Sequence, residues 1–227
     1  MDTLALVNGL RFIDSFFPSG GFAFSSGLEA AVQGGAVRGP DEFAAFVVEQ
    51  LRQQLGTREA VALGLAHDGA TQMDHSLVVG VDRELEGMKL GGDMRKASRQ
   101  MGRQVLRIAA DHFDGPLLGE YQTAVESGGA LGHLAVAFGV VLQAAGWRKE
   151  DAIAGFLYHS AAGYAAAALK LLPIGQRECQ RLLHEWTRLI CELTREAASG
   201  RELSAWTPLH DIYAMRHSRL ESRLFRS

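Results

Sequence analysis

Apolar residues recur along most of this chain at intervals of three and four, the spacing that keeps one face of an α-helix buried. Phe43, Phe46, Val47, Leu51 and Leu55 follow it closely. Gly39-Pro40-Asp41 marks where that helix starts, because proline suits a first turn and Asp41 and Glu42 suit the positive end of the dipole. Thr57 to His67 continues or restarts it after Gly56. Upstream, the pattern predicts a helix from Thr3 to about Phe16, stopped by Pro18-Ser19-Gly20-Gly21. A second runs from Phe22 to Gln33 and ends at Gly34-Gly35. Further helices are expected near 72–88, 93–112, 130–146, 149–171, 175–198 and 207–217, with breaks at Gly91-Gly92, Gly115-Pro116, Gly128-Gly129 and Pro173. No alternating strand pattern, fixed repeat or low-complexity linker interrupts them. The expected architecture is all-α: one domain over 1–227, a bundle of roughly eight to ten helices, with a tail at 216–227 free to be flexible.

The most apolar stretch, 130–172, could be mistaken for membrane spans. His133, Gln143 and Gly146 break its first half, and Tyr158, His159 and Ser160 mark the second. We read two helices at the centre of the bundle, with Gly132, Gly139, Gly155 and Gly163 permitting close approach. Composition agrees with helix, since 32 alanines outnumber valine, isoleucine and threonine together. The formal net charge of -3 argues against a dedicated nucleic-acid or anionic-membrane binder. Cys179 and Cys191 fall on one predicted helix, roughly 18 Å apart at 1.5 Å per residue, too far for a disulfide. With no basic N-terminal leader, the expected compartment is the cytoplasm.

Candidate chemistry is sparse. No two of the eight histidines lie three or four residues apart, as helix-borne ligands of one ion must. No phosphate loop, C-x-x-C, H-E-x-x-H or G-x-S-x-G occurs. Pro18-Ser19-Gly20-Gly21 could offer amides to an anion or simply join two helices. Glu84 and Glu86 look like unpaired surface carboxylates. An enzymatic alternative needs distant helices to assemble a site, for example around His133 and His159. No cofactor is expected.

Two basic features remain. Arg95, Arg99, Arg103 and Arg107 recur every four residues beside an apolar face of Met94, Ala97, Met101, Val105 and Ile108. Such a stripe is either a solvated face or a surface for an acidic protein, because guanidinium pairs bidentately with carboxylate. The last twelve residues, RHSRLESRLFRS, hold four arginines with Leu220, Leu224 and Phe225. They form either a frayed end or a segment that orders against a partner.

Four ordered blocks and the tail carry a resemblance. They are FPSGGFAFSSGLE (Phe17–Glu29), RKASRQMGRQVLRI (Arg95–Ile108), GHLAVAFGVV (Gly132–Val141) and LLPIGQRECQRLL (Leu171–Leu183). With Pro208–His217 and Ser222–Ser227, the chain resembles the UreF family of urease accessory proteins over nearly its whole length. That resemblance implies a non-enzymatic, all-α, often dimeric factor that helps load nickel into apo-urease. It would bridge UreD (also called UreH) and the GTPase UreG, with nickel handled by the complex and no nucleic acid or membrane involved. By the same resemblance, Arg99, Arg103, Asp211, Met215, Arg216, His217, Ser222, Arg223, Leu224, Phe225 and Arg226 are the expected partner-binding residues. Two departures stand out: Glu221 occupies a position where tyrosine is expected, and Phe24 one where relatives carry tyrosine or histidine.

Overall fold

The computed structural model describes residues 2–220 and 222–226, and among these it holds helices and no strand. Helix α1 (Thr3–Ile13) is capped by Asp2, whose carboxylate accepts from the Ala5 amide at 2.7 Å. The predicted second helix is shorter than its pattern. A 3-10 turn at Gly21–Ala23 is followed by Ser26 and Gly27, both at positive φ, before α2 (Leu28–Gln33) begins. Two left-handed residues in a row break the helix, and hydrophobic spacing cannot reveal them.

The third helix does not restart at Gly56. Helix α3 (Pro40–Gln50), a π-helical stretch (Leu51–Glu59) and α4 (Ala60–Gln72) form one unbroken helical rod. After it come α5 (His75–Met88), α6 (Gly92–Ala110), α7 (Pro116–Glu126), α8 (Leu134–Ala144), α9 (Lys149–Leu171), α10 (Gln176–Ser199) and α11 (Pro208–His217). Helix α7 is absent from the spacing, which marks Gly115-Pro116 as a break, whereas Pro116 opens the first turn. With the rod counted once, the described residues make ten helices, within the expected range.

Helix α8 is the core axis, and every residue from Ala135 to Leu142 is buried. Its amino end carries no side-chain cap of its own. Ser98 Oγ of α6 accepts from its first amide, Leu134, at 3.2 Å, and the buried Asp82 carboxylate of α5 holds the turn that leads into it, accepting from the amides of Leu131 (2.7 Å), Gly132 (2.9 Å) and His133 (3.0 Å). Helix α9 is the one described helix long and apolar enough to cross a membrane by length and composition. Half of that apolar window is buried against its neighbours, as in a core helix.

Close approach is real at three of the four expected glycines. A Cβ on Gly139 would sit 2.5 Å from the Leu63 carbonyl oxygen, where α8 crosses α4. Added carbons at Gly132 and Gly155 would also collide, whereas nothing lies within 4 Å of one at Gly163. Gly139→Ala should therefore push α8 off α4 and cost about 1–3 kcal/mol, measured as a lower urea midpoint. Gly80→Ala, on an open face of α5 with nothing within 4 Å, should instead raise stability by about 0.5–1 kcal/mol.

Candidate interaction surface

The π-helical stretch shapes the C-terminal part of the molecule. Widening a helix to i→i+5 bonding displaces carbonyls from the usual ladder, and here two of them accept from another segment. The Ser204 amide donates to the Thr57 carbonyl and the Trp206 amide to the Gln53 carbonyl, both at 3.1 Å. The Thr207 hydroxyl donates to Gln54 Oε1 at 3.2 Å. The segment entering α11 is thus fastened before the helix starts. The His210 ring then bonds the carbonyl of left-handed Ser26 at 2.7 Å. Burial pushes the His210 imidazole down to about 4, with the Ser26 carbonyl opposing, so it is neutral near pH 7.

The tail expected to fray or await a partner is docked on its own chain. Glu29 of α2 is buried, and its carboxylate gathers three groups. His217 Nε2 lies 2.8 Å away, the Leu224 amide donates at 2.7 Å and the Phe225 amide at 3.2 Å. Beyond Glu29, Gln33 Nε2 donates to the Ser222 carbonyl at 3.0 Å, and the Arg226 amide to the Ala23 carbonyl at 2.7 Å. The Phe225 ring is buried under the Lys170 ammonium, 5.2 Å from its centroid.

This docking sorts the sequence-predicted residues. His217 and Phe225 point into the fold and hold the arm in place. Asp211 is half-buried, and burial raises its carboxyl against the opposing Arg58 and Lys89 charges. Met215, Arg216, Ser222, Arg223, Leu224 and Arg226 face outward. Trp206 (77% exposed) and Leu209 extend the same arm's exposed apolar area, with Leu224 72% exposed. Spacing did not single out Trp206, Leu209 or Glu29, although Glu29 closes the Gly-Leu-Glu block. Glu221 and Ser227 lie outside the described residues, and with them the Glu221 departure.

Behind the arm sits a buried charge cluster that the sequence did not announce. Glu59 Oε1 accepts from Lys89 Nζ and from Arg58 Nε and Nη2 at 3.1 and 3.0 Å, and Arg58 Nη1 donates to the Met88 carbonyl. Burial pushes Glu59 up, but Lys89 and Arg58 outweigh it and hold the carboxyl at about 2. Burial pushes the Lys89 ammonium down, opposed by Glu59. Glu59, Lys89 and Ser98 reach a mainly apolar cavity of about 810 Å³ that Phe24, Met101 and Phe156 also line.

His159 lines that cavity and bonds the Ile13 carbonyl at 3.0 Å. His133 does not line it: the ring is fully buried between Ser98 Oγ (3.0 Å) and Glu86 Oε2 (2.8 Å). The two histidines of the enzymatic alternative therefore share no pocket. Glu86 is not a free surface carboxylate, because it also receives Arg99 Nη1 at 3.3 Å and lies 3.6 Å from Arg95 Nε. Half of the arginine stripe is thus spent inside the fold, while Arg103 and Arg107 have no carboxylate partner among the described residues. Nor do the described residues include three or more His, Cys, Asp or Glu placed to hold a metal ion.

Comparison with known proteins gives a consistent picture. A family model described as UreF matches residues 37–187. The urease accessory protein UreF of Bacillus sp. (strain TB-90) is 31% identical over 229 residues, covering 98% of this chain and 99% of that protein. Its counterpart in Actinobacillus pleuropneumoniae is 30% identical over 220 residues, covering 96% and 97%. That of Paenarthrobacter aurescens (strain TC1) is 31% identical over 216 residues, covering 94% of each.

Two outcomes follow from the arm's attachment. Glu29→Ala should free the tail, speeding amide hydrogen exchange at Leu224 and Phe225 by at least about 100-fold. The second concerns acid. A histidine whose folded pKa is depressed adds stability above its unfolded value near 6.5, and that stability fades as pH falls towards 4. For His210 the loss is about 3 kcal/mol. Urea midpoints should fall between pH 6.5 and 4, and fall less in His210→Asn.

Proposed function

Because the chain belongs to the UreF family of urease accessory proteins, we propose that it is a cytoplasmic, non-enzymatic scaffold for loading nickel into apo-urease. In this reading it works as a homodimer and bridges UreD (UreH) and the GTPase UreG. Nickel is cargo of the assembly rather than a resident cofactor of this chain. The observation that carries the reading is the C-terminal arm. It is fastened to the π-helical stretch and to Glu29, yet it turns Trp206, Leu209, Met215 and Leu224 to solvent. Arg216, Arg223 and Arg226 flank them.

Apolar anchors ringed by arginine on a preorganised segment suit protein recognition, because the ordering entropy is lost before the partner arrives. The sequence also lacks a nucleotide loop, so any GTP-driven step belongs to a partner.

The test is co-purification with UreD and UreG, singly and together. Met215→Asp combined with Leu224→Asp should cut recovered GTPase at least about tenfold and abolish urease maturation in a dependent host. Helicity and melting temperature should stay at wild-type values. Undiminished recovery and maturation would remove the arm from the partner surface.

A further inference from the structure

The arginine stripe points to a second recognition surface, independent of the C-terminal arm. Helices α6 and α7 flank a groove of about 670 Å³ whose cations include Lys96, Arg99, Arg103 and Arg107. Its one carboxylate is Glu126, which accepts from Gln122 Nε2 at 2.9 Å. Arg99 is shared with Glu86, as described above. Lys96, Arg103 and Arg107 are exposed, and among the described residues no carboxylate comes within ion-pairing distance of them.

Two of the arginines are already oriented. Arg107 Nη2 donates to Gln104 Oε1. The stem of Arg103 lies against Gly132, since a Cβ there would meet Arg103 Cγ at 3.2 Å. Lys96 to Arg103 is seven residues and Arg103 to Arg107 is four, which along α6 is about 10.5 Å and about 6 Å.

We propose that this groove docks an acidic α-helix of a partner protein, its carboxylates spaced to match those cations. Glutamates at i, i+4 and i+11 of one helix stand about 6 and about 10.5 Å apart along one face, one and two turns on, so a helix laid along α6 meets all three. Guanidinium favours this occupant, because it takes carboxylate bidentately. Single-stranded nucleic acid is disfavoured: no aromatic residue lines the groove to stack a base, and the chain is net acidic. The surface does not depend on which proteins the arm holds.

The experiment uses the full chain and a fluorescein-labelled, alanine-based helical peptide of about 16 residues with glutamates at those spacings. Binding is read by anisotropy at about 20 mM and about 300 mM salt. The glutamine version of the peptide and a uridine oligonucleotide are run in parallel. Saturable binding should appear at low salt and weaken at least about tenfold at high salt and in Arg103→Gln/Arg107→Gln. It should persist in Arg219→Gln, an exposed arginine elsewhere. Circular dichroism confirms that the exposed substitutions leave the helices intact. Absence of saturable binding, an equal loss in Arg219→Gln, equal binding of the glutamine peptide, or tighter binding of the uridine oligonucleotide would each overturn the proposal.

Discussion

A buried carboxylate must be given donors, because leaving one unmet costs more than a hydrogen bond returns. Glu29 is that carboxylate here. It sits two residues after a left-handed Ser26-Gly27 pair that aims α2, and His217, Leu224 and Phe225 are all placed to satisfy it. The requirement turns a short arginine-rich end, which has too little apolar surface to fold alone, into a fixed part of the molecule. Because Phe225 and His217 supply the attachment, Leu224 and Met215 are left to face outward. What points out is determined by what must point in.

The same logic recurs twice at the centre. Asp82 holds the turn that enters α8 and so ties α5 to the core axis. Glu59 gathers Arg58 and Lys89 at the end of the π-helical stretch whose carbonyls fasten the descending arm. Buried ion pairs contribute little net stability over apolar packing, yet losing one partner is expensive. Their role in this fold is therefore positional. They fix α5 against the start of α8 and the rod against the α5–α6 link, and hence where the basic groove on α6 is presented.

Much of this was legible in the sequence, and what was not has specific causes. Apolar spacing identified α3, α9 and α10, and Pro40 marked a start, because these are local signals. The same proline signal at Pro116 follows a glycine, and Gly115-Pro116 is equally the mark of a break, which hides α7. The left-handed Ser26 carries no compositional mark. The π-helical stretch was invisible because a change of one residue per turn barely disturbs an apolar pattern over nine residues. Of the expected partner residues, the exposed ones remain on the surface. His217 and Phe225 instead bond a glutamate 188 and 196 residues away, and no local pattern can announce such a pairing. The pairing of Glu86 is equally non-local, since its partners come from α6 and the start of α8.

The central claim is that Glu29 acts on recognition by positioning the arm. A double-mutant cycle on accessory-partner affinity with Glu29→Ala and Leu224→Ala measures it most directly. If the arm must be held for Leu224 to contribute, the double variant should bind no more weakly than Glu29→Ala alone. Losses that simply add would contradict the account, showing that Leu224 contributes equally whether or not Glu29 holds the arm.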